Sequence, residues 1–105
     1  MKIKVYLSGR MSGLEPVCWW NKFRHAKIKL TAKYDDIEVV NPAETIIARN
    51  PWLYRIVGYR LTMRYDLRLL RKCDHIYMVW KDWHLSRGAR LERLKAREWN
   101  IKELK

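Results

Sequence analysis

The feature that most constrains the fold of this chain is a nearly continuous apolar run between Asp74 and Trp80. A strand with one wet face alternates apolar and polar residues, whereas a strand covered on both faces has an almost unbroken apolar sequence. Covering both faces takes helices on both sides of a mostly parallel sheet. The run therefore predicts an α/β fold with an interior strand at this position, and we expect a loop at Lys81–Leu85 after it.

Three other segments have the patterns of strands. In the first, charged residues alternate with β-branched and aromatic ones, and the segment ends before Gly9 and Gly13, two glycines that permit a tight loop. The second is closed by an Asn-Pro pair, which favours an extended or turn conformation. The predicted strands are Lys2–Ser8, Asp36–Pro42, Asp74–Trp80 and a short last strand at Ile101–Leu104.

Apolar residues spaced by three or four positions predict three helices. Pro16 suits the first turn of the first helix, and Ser86 is a good N-cap for the third, which Asn100 ends. The predicted helices are Pro16–Leu30, Trp52–Lys72 and Arg87–Trp99, with an irregular connection at Ala43–Pro51. The apolar faces comprise Trp19, Trp20, Phe23, Ala26 and Leu30 in the first helix and Ile56, Tyr59, Met63, Leu67 and Leu70 in the second.

The length and the order of these segments define the architecture. A chain of 105 residues is enough for one domain and too short for two. The order βαβαβα with a short final strand implies right-handed crossovers and a three-layer α/β sandwich with about four mostly parallel strands. We therefore expect a single domain over residues 1–105, with ligands at the carboxyl ends of its strands.

The charge balance is strongly basic. Lysine and arginine number 23 against 11 acidic residues, so the formal net charge is +12. Phosphates or other anions are plausible partners, although the same excess can simply keep a small protein soluble. The basic residues are spread over the helices without a recognised nucleic-acid motif, so a nucleic-acid partner is conceivable but not favoured. No apolar run approaches the roughly 18 residues that cross a bilayer, and no signal peptide is evident, so we expect a cytoplasmic protein with no membrane contact.

Neither a metal nor another cofactor is expected. Cys18 and Cys73 are far apart and form no C-x-x-C arrangement, so we expect reduced thiols. The three histidines lack the mutual spacing of metal ligands, and surface or hydrogen-bonded roles are favoured for His25, His75 and His84.

Two strand-to-helix loops meet at the expected ligand edge. The loop Gly9–Gly13 supplies glycines, hydroxyls and backbone N–H groups, and Ser86 opens a helix whose N-terminus can bind an anion. Together they can hold a phosphate, whereas each alone is more often only a turn. Trp80 and Trp83 flank the second loop, and they either stack on a base or are buried against the helices.

Glu92 is the first candidate for a reactive group. It lies one to two turns into the third helix, and Gly88 before it is small enough to leave room for a ligand to approach. One face of that helix is formed by Ala89, Glu92, Ala96 and Trp99. A partly buried carboxylate on the sheet-facing side is a candidate functional group. The alternative is an ordinary helical glutamate paired with Arg93 or Lys95.

Asp66 is the second candidate, because it is the only acid in Arg49–Lys72, a stretch with seven basic residues. Aspartate is also a poor residue for a helix interior. One explanation is an ion pair with a neighbouring arginine, Arg64, Arg68 or Arg71. The other is convergence with Glu92, in which one carboxylate attacks an anomeric carbon and the other acid helps the leaving group or holds a sugar hydroxyl. Tyr6 would then hydrogen-bond the nucleophile.

Four motifs occur in a fixed order along the chain: YLSGRMSG at 6–13, NPAE at 41–44, DLRLLxxCD at 66–74 and WxxSxGAxxE at 83–92. Their combination resembles the nucleoside 2-deoxyribosyltransferase-like superfamily, and especially a small branch of it described only as a domain of unknown function. The resemblance spans about residues 3–98. It implies a Rossmann-like, flavodoxin-like fold.

Characterised members transfer a 2-deoxyribosyl group between bases or hydrolyse the N-glycosidic bond of deoxynucleoside 5′-monophosphates. The resemblance implies that Glu92 is the nucleophile, that Asp66 contacts the sugar and aids catalysis, and that Tyr6 positions the nucleophile. Arg10 would either add a phosphate contact or obstruct the pocket. The residues expected to contact the substrate or its phosphate are Ser8, Gly9, Arg10, Ser12, Gly13, Trp83, Ser86 and Gly88.

The resemblance also bears on assembly. Characterised members commonly associate, so a homodimer is expected, with Trp19, Trp20 and Trp52 in the core or at the dimer interface. They have segments beyond the third helix that complete the pocket, whereas this sequence ends at Lys105.

Three hypotheses for the function follow from the sequence. The leading one is an enzyme that acts on the N-glycosidic bond of a nucleoside or nucleotide. The second is a non-catalytic module that binds a nucleotide in the same pocket. The third is a basic protein that binds nucleic acid through its arginine-rich helices.

Overall fold

The computed structural model describes residues 3–9, 16–41, 61, 63–79 and 81–104, without the side chains of residues 16–20 and 82. In these parts the chain is an α/β fold with a four-stranded, wholly parallel sheet and three helices. The strands are β1 (Ile3–Ser8), β2 (Ile37–Val40), β3 (His75–Met78) and β4 (Lys102–Glu103). The helices are α1 (Pro16–Lys33), α2 (described over residues 63–71) and α3 (Arg87–Glu98).

The strand order is β2-β1-β3-β4, which is a flavodoxin-like order. The chain adds β2 on one side of β1 and then returns to add β3 on the other side. In open parallel sheets such a reversal creates a crevice outside the carboxyl ends of the two strands, and ligands bind there. In this chain the reversal lies between β1 and β3, so the end of β1 at Ser8 borders the expected ligand edge.

The two faces of the sheet bury two separate apolar clusters, which makes the fold a three-layer sandwich. Because side chains alternate along a strand, β1 contributes to both clusters. On one face Val5 and Leu7 pack with α1 and Val79, and on the other Tyr6 packs with residues of α2, β3 and α3. The first cluster is Val5, Leu7, Phe23, Ala26, Leu30 and Val79, and the second is Tyr6, Leu70, Cys73, Ile76, Ala96 and Ile101.

The predicted apolar faces of the first two helices are confirmed where they are described. Phe23, Ala26 and Leu30 are buried, and α1 continues beyond Leu30 to Lys33. In α2 Met63 and Leu70 are buried, and Leu67 is half-buried. The rest of those two faces, the helix start at Trp52 and the connection Ala43–Pro51 lie outside the described residues, as do the side chains of Trp19, Trp20 and Trp52.

The structure differs from the prediction at the ends of β3. The strand runs from His75 to Met78, and the Asp74 carboxylate before it accepts the Lys4 N–H at 2.9 Å. The segment Lys81–Leu85 is a 3₁₀ helix and not a loop. Its i→i+3 bonds close a tight turn, in which the Ser86 N–H donates to the Trp83 carbonyl at 2.9 Å, immediately before α3 begins.

The described helices include none that combines the length and the apolar composition needed to cross a membrane.

The end of α3 is a Schellman motif. Asn100 has a positive φ of 58°, its N–H donates to the Arg97 carbonyl at 3.2 Å, and the Ile101 N–H donates to the Ala96 carbonyl at 2.8 Å. Ile101 and Ala96 also belong to the same apolar cluster. The predicted helix end at Asn100 is confirmed, with Trp99 as the C-cap. The motif turns the chain directly into β4.

Replacing Asn100 tests this helix end. A left-handed conformation costs an ordinary side chain roughly 1–2 kcal/mol, and asparagine and glycine tolerate it better. Asn100→Ala should therefore lower the free energy of unfolding by about 1 kcal/mol, whereas Asn100→Gly should leave it unchanged or raise it. Urea denaturation of the three proteins measures the difference, and equal losses in both variants would contradict a left-handed residue at this position.

Candidate active site

Two hydroxyl side chains project from the same face of β1 near its carboxyl end. Tyr6 and Ser8 are two positions apart, so both point away from α1 and towards the layer of α2 and α3. Tyr6 has no exposed surface and Ser8 is 1% exposed. Buried hydroxyl groups require hydrogen-bond partners, and the partner of both lies on α3.

Glu92 is this partner because of how α3 begins and packs. Ser86 accepts the Ala89 N–H at 3.2 Å as the N-cap, as predicted, and thereby sets the helical register. Ala89, Glu92 and Ala96 form the buried face of α3, so small residues one turn before and after the glutamate permit a close approach to the sheet. Glu92 is only 5% exposed.

The carboxylate of Glu92 is held at both oxygens. The Tyr6 O–H donates a short hydrogen bond to Oε2, and the Ser8 O–H donates to Oε1 at 2.8 Å. Arg93 instead pairs with Glu103 at 2.9 Å, and Lys95 pairs with Glu98 at 3.1 Å. The structure thus rejects the surface ion pair as the explanation of Glu92 and supports a buried, oriented carboxylate.

Asp66 lies on α2 one turn before Leu70, on the side of the helix that packs towards the sheet. Its negative charge acts on both Glu92 and Tyr6. Among the described residues no ion pair joins Asp66 to the neighbouring arginines. These exposed arginines are Arg64, Arg68 and Arg71, and Arg71 lies over the ring of Trp99. Tyr6 and Glu92 are thus in direct contact, Asp66 lies close enough for its charge to act on both, and an ion pair with these arginines does not account for Asp66 in the part of the chain that the structure describes.

Burial raises the pKa values of both carboxyl groups towards neutrality. Loss of hydration, together with the nearby charge of Asp66, raises the pKa of Glu92 to about 8, against the opposing effect of the hydrogen bonds from Tyr6 and Ser8. Burial raises the pKa of Asp66 to about 7. Burial and the two carboxylates also raise the pKa of Tyr6 well above its usual value, so Tyr6 stays a hydrogen-bond donor.

This arrangement can divide two chemical roles between two carboxyl groups. Two interacting carboxyl groups that are buried away from water release their protons in two successive steps. The apparent pKa values of these steps describe the pair and not either residue alone. Between the two steps the pair carries one proton and one negative charge. A charged carboxylate can act as a nucleophile while its protonated neighbour acts as an acid, which is the division used in glycoside chemistry.

The other predicted contact residues have mixed outcomes. Gly9 has a packing role, since a Cβ there would lie 3.0 Å from Cβ of Val79. Trp83 is half-buried, and the guanidinium of Arg93 lies 4.7 Å from its ring centroid, so one face of the indole is already covered. Gly88 is half-buried at the start of α3. The remaining predicted positions, Arg10, Ser12, Gly13 and Trp80, lie outside the described residues.

Ser8 is the residue whose role the sequence interpretation missed. It was expected to contact substrate, and its hydroxyl is directed instead at Glu92. The signal was present in the spacing of Tyr6 and Ser8, because positions i and i+2 of a strand share one face. Any role of Ser8 towards substrate stays a prediction.

Cys73 packs in the same apolar cluster as Tyr6, and neither it nor a histidine contacts Glu92 in the described parts of the chain. Within the described ranges no three His, Cys, Asp or Glu side chains are grouped so that they could hold a metal ion. His25 and His84 are exposed, and Nδ1 of His84 lies 2.8 Å from the Lys81 carbonyl. The expectation of a surface or hydrogen-bonded role is wrong for His75, which is half-buried and whose Nδ1 has no hydrogen-bond partner among the described residues. Cys73 is a buried free thiol, and burial raises its pKa to about 11, so the thiol stays protonated near neutral pH.

Comparison with known protein families matches residues 3–103 to the family described as Domain of unknown function (DUF4406). The match covers nearly the whole sequence, and the chain belongs to this family. Neither a curated protein nor a solved structure matches it. The family description names no activity, so the resemblance to the nucleoside 2-deoxyribosyltransferase-like superfamily stays a prediction.

The buried carboxyl group should make stability depend on pH. The pKa of Glu92 rises from 4.5 to about 8 on folding, so between these values the folded state binds more protons than the unfolded state. Stability must then fall as the pH rises through this window, by at most about 1.4 kcal/mol per pH unit for each such group. Glu92→Gln, which cannot ionise, should flatten this fall in urea denaturation between pH 5.5 and pH 8.5.

Glu98→Gln is the matched control, because Glu98 is an exposed glutamate on the same helix. It should retain the pH dependence of the wild-type protein. An unchanged slope in Glu92→Gln would contradict a raised pKa for Glu92.

Proposed function

We propose that this protein cleaves the N-glycosidic bond of a nucleoside or nucleoside 5′-monophosphate, by hydrolysis or by transfer of the 2-deoxyribosyl group. The observation that carries the proposal is the buried Glu92 carboxylate, held at both oxygens by Tyr6 and Ser8 within reach of the charge of Asp66. A fixed carboxylate beside a second acid suits displacement at an anomeric carbon. The resemblance of the four sequence motifs supports the same chemistry.

In the first step Glu92 is the nucleophile. One of its oxygens attacks C1′ of the sugar, the C1′–N bond breaks, and the electron pair of that bond leaves with the base. In the reactive form of the carboxyl pair the shared proton lies on Asp66, which donates it to the departing base, and Glu92 is ionised. Each carboxylate oxygen has two lone-pair sites, so an oxygen that accepts one hydrogen bond can still form the new bond to C1′. The product is a glycosyl ester of Glu92.

In the second step water or another base resolves this ester. The acceptor attacks C1′, the bond between C1′ and the Glu92 oxygen breaks, and its electron pair returns to the carboxylate. The proton lost by the attacking water or base passes to Asp66, which is then protonated for the next cycle. Tyr6 remains a hydrogen-bond donor in both steps because its raised pKa keeps the phenol protonated.

The position of the carboxylate also supports a small-molecule site. Glu92 reaches the end of β1, next to the point where the strand order reverses, which is where open α/β sheets bind ligands. Cytoplasmic location and a homodimer, both expected from the sequence, belong to the same proposal. A non-catalytic nucleotide-binding module would use this crevice too, and base release distinguishes the two.

Base release should depend on Glu92. The purified protein is incubated with ribo- and deoxynucleosides and their 5′-monophosphates, with and without a second free base, and base release is followed by chromatography. Loss of a nucleophile typically lowers kcat by at least about 10³-fold, so Glu92→Ala should abolish release from any substrate that the wild-type protein cleaves. Glu98→Gln, on the exposed side of α3, should release base at the wild-type rate.

The outcomes separate the hypotheses. Nucleotide binding without base release by the wild-type protein would favour the binding module. Affinity for DNA or RNA that falls steeply with salt, without nucleotide turnover, would favour the nucleic-acid-binding hypothesis. Release that survives in Glu92→Ala would exclude Glu92 as the nucleophile.

The pH dependence of the reaction should report the carboxyl pair. The active form carries one proton on the pair, so kcat/KM should pass through a maximum between the two apparent pKa values, about 7 and about 8. Asp66→Asn removes the acid and the charge that raises the pKa of Glu92. The pH profile of Asp66→Asn should not decline at high pH. Its rise, which reports the ionisation of Glu92, should occur at a lower pH than in the wild-type protein. A profile that is flat from pH 6 to pH 9 would contradict the assignment.

A further inference from the structure

Ser8 has a hydroxyl group that the proposed first step does not use. It is 1% exposed, and its hydrogen bond to Oε1 of Glu92 is 2.8 Å long. Its backbone is fixed by the sheet, since Ser8 pairs in register with Met78 and its carbonyl accepts the Val79 N–H at 2.7 Å. The hydroxyl is therefore held on a rigid element at one oxygen of the carboxylate.

The two hydrogen-bond donors on β1 together fix the orientation of the Glu92 carboxylate, which one donor would leave free to rotate. The terminal torsion of a glutamate side chain is broad, so a carboxylate held at one oxygen can still rotate. Tyr6 holds Oε2 and Ser8 holds Oε1, so rotation of the Glu92 carboxylate breaks one of the two hydrogen bonds. Side chains on strands position reactive groups better than side chains on loops.

The second donor has opposite effects on the two halves of the reaction. A hydrogen bond to a carboxylate stabilises its charged form. Charge leaves the carboxylate when the glycosyl ester forms and returns to it when the ester breaks. A donor at Oε1 thus makes Glu92 a better leaving group. It therefore accelerates the second step, in which the sugar is released.

We propose that Ser8 is a positioning residue that holds Oε1 of Glu92 and promotes release of the sugar from the glycosyl ester. The release role depends on the proposed function, whereas the positioning role does not. In the release step an acceptor forms its bond to C1′, the bond from C1′ to Glu92 breaks, and the electron pair returns to a carboxylate that Ser8 stabilises. No oxidant or further reactant is needed.

Ser8→Ala removes the donor and one side-chain atom. Cys73→Ala is the matched control, because it also removes one buried atom from the cluster on the same face of the sheet. Ser8→Cys is the conservative variant, since a thiol is only a weak donor. The pKa of Glu92 is followed in all four proteins by titrating the side-chain carboxyl ¹³C signal in NMR spectra.

In Ser8→Ala the pKa of Glu92 should rise by about one, because a hydrogen bond that favours the charged form is lost. Ser8→Cys should lie between the wild-type protein and Ser8→Ala, and Cys73→Ala should match the wild-type protein. A pKa that does not move in Ser8→Ala would overturn the positioning role, whether or not the protein is an enzyme.

The release role is tested with a cleaved nucleoside or nucleotide from the panel. In Ser8→Ala kcat should fall about tenfold and KM should fall with it, and intact-protein mass spectrometry of quenched reactions should detect the glycosyl adduct. A lower kcat without an adduct and with unchanged KM would overturn the release role. A wild-type protein that releases no base would overturn it together with the proposed function, while the NMR titration still decides the positioning role.

Discussion

The burial of the Glu92 carboxylate is the interaction on which the rest of the site depends. Burying a charged group away from water is costly unless it is hydrogen-bonded, and Glu92, which is 5% exposed, accepts hydrogen bonds from Tyr6 and Ser8. The two donors come from one strand and the acceptor from a helix far along the chain. The site therefore forms only when α3 is packed on β1, so that folding and assembly of the site are one event.

The strand order and the packing of the helices determine which side chains lie near the Glu92 carboxylate. Because β1 is an interior strand, its alternate side chains serve two layers, with Val5 and Leu7 facing α1 and Tyr6 facing α2 and α3. The helix α2 lies on the same side of the sheet and brings Asp66 close enough for its charge to act on Glu92. The result is a pair of acids with pKa values of about 7 and about 8 beside a protonated tyrosine. A pair of this kind can divide acid and base roles between its two members.

Much of this could be predicted from the sequence. The apolar run at β3 and the alternation of helix and strand patterns predicted the parallel α/β sandwich, and Ser86 and Asn100 predicted the ends of α3. These features are local, because caps, turns and apolar periodicity reflect interactions within a few residues. The 3₁₀ helix at Lys81–Leu85 was missed because a turn this short has no apolar periodicity of its own.

The chemistry of Glu92 and Asp66 could not be derived from their neighbours in the chain. Arginines or lysines adjacent to both acids made surface ion pairs the simpler interpretation, and only the motif resemblance favoured a shared site. The tertiary structure distinguishes these interpretations. The packing of α2 and α3 on β1 directs both acids towards the sheet, whereas Arg64 and Arg68 are exposed and Lys95 pairs with Glu98. The sequence by itself determined the order of elements, their ends and their apolar faces. The hydrogen bond of Ser8 and the raised pKa values were decided only by the fold, since hydration and Coulomb interactions depend on distances between residues up to 86 positions apart.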